Sequence, residues 1–127
     1  MNRQQLLQLR PDIPSIAQAN ATTNAEQFQN RTIRPILKFQ NDLLCAIFRA
    51  YVHKRKAVFY QLSKPDKLAY VDQAIRKDQK FKHLLLGTII GQLTQEEWLL
   101  YQEEEKEINR RIGTMLIQRL QDQCLSF

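Results

Sequence analysis

Two charge runs of opposite sign hold most of the side chains that could do chemistry. Arg49 and the run His53, Lys54, Arg55, Lys56 place five basic groups close together, and Glu103, Glu104, Glu105 and Glu107 form an acidic counterpart. On a helix the basic residues wrap around the surface as a broad positive patch. Such a patch binds phosphate, and so nucleic acid, in a salt-sensitive way; its plain alternative is a solvated helix end whose cations complement the dipole. Clustered carboxylates bind hard cations or move protons. A carboxylate-bridged di-metal site in a bundle, however, needs Glu followed three residues later by His. Ala50 stands three residues before His53 and Lys80 three before His83, so the pattern is missing. Cys45 sits within the apolar run LLCAIF as a core side chain, Cys124 has no histidine near it in sequence, and the histidines make no metal-ligand spacing. No catalytic residue, metal ligand or cofactor is therefore assigned, and an enzyme is not the leading expectation.

A third constellation comes from interruptions in apolar stripes. The stripe through Trp98 and Tyr101 lands on Glu105 before it reaches Ile108 and Ile112, and Arg34 and Asn41 fall beside the stripe through Leu37, Leu44 and Phe48. If these two helices face one another, Arg34, Asn41 and Glu105 would meet as a buried polar cluster, the makings of a small-ligand site. The alternative leaves Glu105 reaching solvent. Gly87 and Gly91, four apart, share one helical face and would let another helix approach closely, either within the chain or from another copy.

The elements that must position these residues are helical. Three glycines and four prolines among 127 residues, with abundant Leu, Gln, Lys, Arg, Glu and Ile, favour helices over hairpins. Residues 1–24 read as an N-terminal arm with a short helical turn near 2–9 and then an extended connection, lying across the bundle through Leu6, Leu9, Ile13 and Ile16; Pro11 and Pro14 prevent one regular helix. Residues 25–127 read as the bundle domain. Asn24 and Gln27 make a capping box, and a wide stripe from Ile36 through Leu37, Leu44, Phe48 and Val52 marks a central helix running to about residue 61. Pro35 either kinks that helix or begins it. Ser63, Pro65 and Asp66 start the next helix, and the polar interval RKDQK carries a bend. Thr94 and Glu97 form a second capping box with Leu93 and Trp98 as its hydrophobic staple, so a turn falls at 92–94. A final helix from Gln95 to Asp122 would be about 42 Å long, with Glu107 pairing to Arg110 and Arg111. The predicted fold is all-α: one domain, a bundle of four to five helices with an extended N-terminal arm and a long C-terminal helix.

Charge and hydropathy narrow the function classes. The formal net charge of +6 comes wholly from residues 1–60, where nine Lys or Arg face three acids; residues 61–127 hold ten of each. That imbalance draws acidic partners or maintains solubility. The apolar run from Leu84 to Leu93 has ten residues, short of the roughly 20 a membrane helix requires. MNRQQLLQLRPDIP lacks the apolar core of a signal peptide, and two distant cysteines fit reduced thiols, so a cytoplasmic setting is expected. The segments RPILKFQNDLL, KFKHLLLGTIIGQLT and NRRIGTMLIQRLQD resemble those of a group of small all-helical bacterial proteins. That resemblance implies a bacterial cytosolic protein and no particular activity. The expected function is a noncatalytic helical interaction protein that self-associates or binds another protein; nucleic-acid binding through residues 49–56 is the alternative, and a ligand site at Arg34, Asn41 and Glu105 a third reading.

Overall fold

In the computed structural model, residues 3–11 and 23–127 are described, and they are all-helical. Of the crossing expected through Leu6, Leu9, Ile13 and Ile16, the two isoleucines lie outside them. The helix Arg3–Leu9 buries none of its residues and Leu9 is 45% exposed, so that stretch does not pack its leucines into the core. In order come α1 (Arg3–Leu9), α2 (Asn24–Phe28), a π-helical turn (Gln29–Ile33), α3 (Arg34–Phe39), α4 (Asn41–Lys54), a 3₁₀ turn (Val58–Gln61), α5 (Lys64–Lys77), α6 (Gln79–Ile90), α7 (Gln95–Glu103), α8 (Glu105–Gln123) and a closing 3₁₀ turn (Cys124–Ser126). There are more segments than the four to five helices expected, because the two long helices are interrupted.

Each interruption has a local cause. Pro35 lacks an N–H and crowds the carbonyl four residues earlier. The chain neither stops nor restarts there: the π turn lets the Arg34 N–H reach Gln29 O, five residues back, and Pro35 sits in the first turn of α3. Gln40, with φ −88° and ψ 3°, bends α3 into α4 while its side chain donates to Thr88 O at 2.9 Å. The expected continuation of α4 to residue 61 fails, because Lys56 and Ala57 both take positive φ, 64° and 55°. That left-handed pair reverses the chain and turns Phe59 into the core, where it is 1% exposed. The expected single final helix breaks at Glu104, with φ −136° and ψ 40°, and Tyr101 Oη bridges the break by donating to Asn109 Oδ1 at 2.6 Å.

Ser63 caps α5 by accepting from Asp66 N. At Thr94 both bonds of the capping box are present, the Glu97 N–H to Thr94 Oγ1 at 3.2 Å and the Thr94 N–H to Glu97 Oε1 at 2.9 Å. The first cap, by contrast, lies one residue before the expected Asn24: Thr23 accepts from Glu26 N at 3.0 Å. Threonine with Glu three residues on is itself a capping-box pairing.

The core gathers around Phe48, whose ring lies within 6.3 Å of the rings of Tyr51, Phe59, Tyr70, Phe81 and Phe127. Ile112, Leu116 and Leu120 of α8 are fully buried in the same core, as the helical repeat of the sequence requires. Contacts near their two ends show that α4 and α6 run antiparallel to one another. At one end the Tyr51 and Phe81 rings are 3.9 Å apart, and at the other Gln40 reaches Thr88.

Candidate interaction site

The outer faces of α4 and α6 enclose a groove of about 690 Å³, lined by Ile47, Ala50 and Leu84 and flanked at one end by Lys54, Lys80 and His83. Its apolar wall runs on by helical spacing to Leu43, which is 47% exposed, while Leu84 is 54% exposed. One turn beyond Leu84, Gly87 is exposed, and a Cβ built there meets nothing within 4 Å. Gly91 is also exposed; a Cβ there would meet only Gly87 O, at 3.0 Å. The two glycines therefore serve no helix crossing within the described chain. They leave an open, low stretch beside two solvent-facing leucines.

The five basic residues do not act as one face. Arg55 lies over the Tyr51 ring at 3.5 Å and donates to Asp78 Oδ2 at 3.0 Å, Arg49 stands 5.7 Å from the Phe127 ring, and the His53 ring is 5.7 Å from that of Tyr60. Lys56 sits in the left-handed turn, and Lys54 belongs to the groove. Among the described residues neither Lys54 nor Lys80 has an ion-pair partner. Asp78 is the residue that the sequence reading missed. It caps α6 through Phe81 N at 3.1 Å, accepts from Tyr51 Oη at 3.1 Å and holds Arg55. The Phe81 N–H, with Tyr51 and Arg55, keeps its carboxyl below the ordinary range. An Asp ahead of an apolar helix was the available signal.

The expected cluster of Arg34, Asn41 and Glu105 does not form. Glu105 follows the break at Glu104 and is exposed, because that break shifts the register of the acidic run. In its place α8 brings Arg119 and Gln123 to Asn41. Asn41 and Gln123 exchange amide hydrogen bonds of 2.9 and 2.7 Å, and Arg119 Nη1 donates to Asn41 Oδ1 at 3.2 Å. Arg34, Asn41 and Arg119 line a second groove, of about 560 Å³. Glu107 pairs with both Arg110 and Arg111, as its spacing predicts, and they pull its carboxyl down to about 2. Among the described residues no group of three or more His, Cys, Asp or Glu could hold a metal ion. Cys45 and Cys124 are unbridged and buried, and burial pushes both thiols up.

A further uncovered surface lies on α7. Glu96, Leu99, Leu100 and Glu103, at helical spacings of three, four and seven, are all exposed, the leucines by 62% and 54%. Together they form an apolar ridge with an acid at each end. The capping box at Thr94 and the Arg10–Glu97 ion pair, 2.7 Å, fix where this ridge begins.

No protein-family model, curated protein or solved structure matches the chain. No helix among the described residues is long and apolar enough to cross a membrane.

Proposed function

We propose that the chain is a noncatalytic helical interaction protein that self-associates, the α7 ridge of one copy lying in the α4–α6 groove of another. The observation that carries this reading is the match between two uncovered surfaces of one molecule. An amphipathic helix docking in a groove needs exposed apolar anchors and a floor low enough to receive them. Leu99 and Leu100, adjacent in sequence and three and four residues after Glu96, offer such anchors, and the exposed helix surface at Gly87, one turn past Leu84, is such a floor. Charge orients the contact. Glu103, followed by Glu104 and Glu105, belongs at the end marked by Lys54 and Lys80, where the acid of the lining, Asp78, is already paired with Arg55. Ridge into groove is a head-to-tail contact between different patches, so it propagates into a ring or a chain of subunits.

The experiment is light scattering across a wide range of protein concentrations, on the natural chain and on Gly87→Arg. The arginine enters open space on a helix surface, so the fold tolerates it and the groove is blocked. The natural chain should gain mass with concentration, more weakly in high salt, while Gly87→Arg stays monomeric with an unreduced melting temperature. A natural chain that remains monomeric at the highest concentration overturns the reading.

A further inference from the structure

The groove between α3, the start of α4 and the end of α8 poses a separate electrostatic problem. Two guanidinium groups, Arg34 and Arg119, line it, and among the described residues neither is paired with a carboxylate. Arg34 uses Nε to donate to Asn30 Oδ1 at 2.8 Å, which leaves its two terminal nitrogens without an acceptor among the described residues. Arg119 uses Nη1 on Asn41 Oδ1, and the Asn41–Gln123 amide pair holds that acceptor in place. The acid in the lining, Asp122, is exposed and accepts from Gln118 Nε2 at 2.9 Å rather than from either arginine. Burial lowers the pKa of Arg119 and the charge of Arg34 acts in the same direction, with Cys45 and Asp122 only partly offsetting them. Two like charges held near one another, one of them partly desolvated, are relieved by an anion that bridges them.

The chemistry of the lining narrows the anion. A planar guanidinium fork matches the oxygens of phosphate, and two forks with Gln29 and Gln118 beside them match a doubly charged group. Leu37 and Met115 in the same lining give an apolar surface for the remainder of a ligand, and about 560 Å³ is within the range for small-molecule sites. We propose that this groove binds a small phosphate monoester, with Arg34 and Arg119 on the phosphate and the organic group toward Leu37 and Met115. Arg119 is the fixed member of the pair; Arg34, exposed, closes on the ligand from α3.

The test is a titration at low salt with phenyl phosphate, inorganic phosphate and phenol, followed by thermal shift and by chemical-shift changes. Phenyl phosphate should raise the melting temperature and perturb α3 and α8. Inorganic phosphate should do the same at least several-fold more weakly, and phenol should do neither. Arg119→Gln and Arg34→Gln should each weaken binding about tenfold or more, and Arg119→Lys, which keeps the charge without the fork, should fall between. Arg31→Gln, exposed and outside the groove's lining, should bind like the natural chain. Equal inorganic phosphate and phenyl phosphate binding would overturn the monoester assignment. No shift at millimolar ligand, or undiminished binding in folded Arg119→Gln and Arg34→Gln, would overturn the site.

Discussion

Arg10 and Glu97 tie the region of α1 to the corner at Thr94, and they make stability depend on acid. Arg10 donates two bonds of 2.7 Å to the Glu97 carboxylate and a third to Gln92 O, while Thr94 N and Thr32 Oγ1 also reach Glu97. Burial alone would raise the Glu97 carboxyl; the bonds from Arg10, Thr94 and Thr32 and the charge of Arg10 outweigh it, so it lies below its ordinary 4.5. A folded-state value below the unfolded one means that the stabilisation is fully present above the unfolded value and disappears as pH falls through the lowered one. Denaturant midpoints measured from about pH 6 to about pH 2 should therefore fall steeply below about pH 4.5. Arg10→Met should flatten that fall and cost roughly 3 kcal/mol at neutral pH, because it leaves a mostly buried carboxylate without its cation. Just past the C-terminal end of α4, Ala57 occupies left-handed backbone that strains an L side chain. Ala57→Gly should raise stability by about 0.5–1 kcal/mol, read as a higher urea midpoint with an unchanged slope.

At the scale of elements, the glycines of α6 separate two explanations for small residues on one helical face. A packing role would make any side chain at Gly87 costly, yet its Cβ position is open. Gly87→Ala should then stabilise the fold by about 0.8–1.0 kcal/mol, the ordinary gain for an exposed helix interior, whereas Gly91→Ala, crowded at 3.0 Å by Gly87 O, should not. Thermal melts of the two variants check the contrast. Phe48→Ala, which removes the ring at the centre of the aromatic cluster, should cost about 3–5 kcal/mol. These elements were unevenly legible in the sequence. Ser63 with Pro65 and Asp66, and Thr94 with Glu97, could be read because a cap is local: donor and acceptor lie three residues apart. The break at Glu104 and the reversal at Lys56 and Ala57 could not, since neither carries Gly or Pro and both depend on where Tyr101, Asn109 and Phe59 find partners. Asn41 could be read as a polar interruption of an apolar stripe, but its partners, Arg119 and Gln123, lie about 80 residues away and follow only from where the end of α8 meets the start of α4.

At the scale of the molecule, two of the surfaces left uncovered among the described residues are the basic-ended apolar groove on α4 and α6 and the acid-ended apolar ridge on α7, which we propose to be partners. If they bind each other between copies, blocking either one leaves the other free. Gly87→Arg has an intact ridge and a closed groove, and Leu99→Lys with Leu100→Lys has an intact groove and a spoiled ridge. The deciding measurement is the mass in solution of these two variants, alone and mixed. Each alone should be a monomer, and the mixture should form a 1:1 dimer that grows no further, because the only open groove and the only intact ridge are then used. If the ridge variant associates as the natural chain does, or the mixture stays monomeric, ridge and groove are not partners and the account is contradicted.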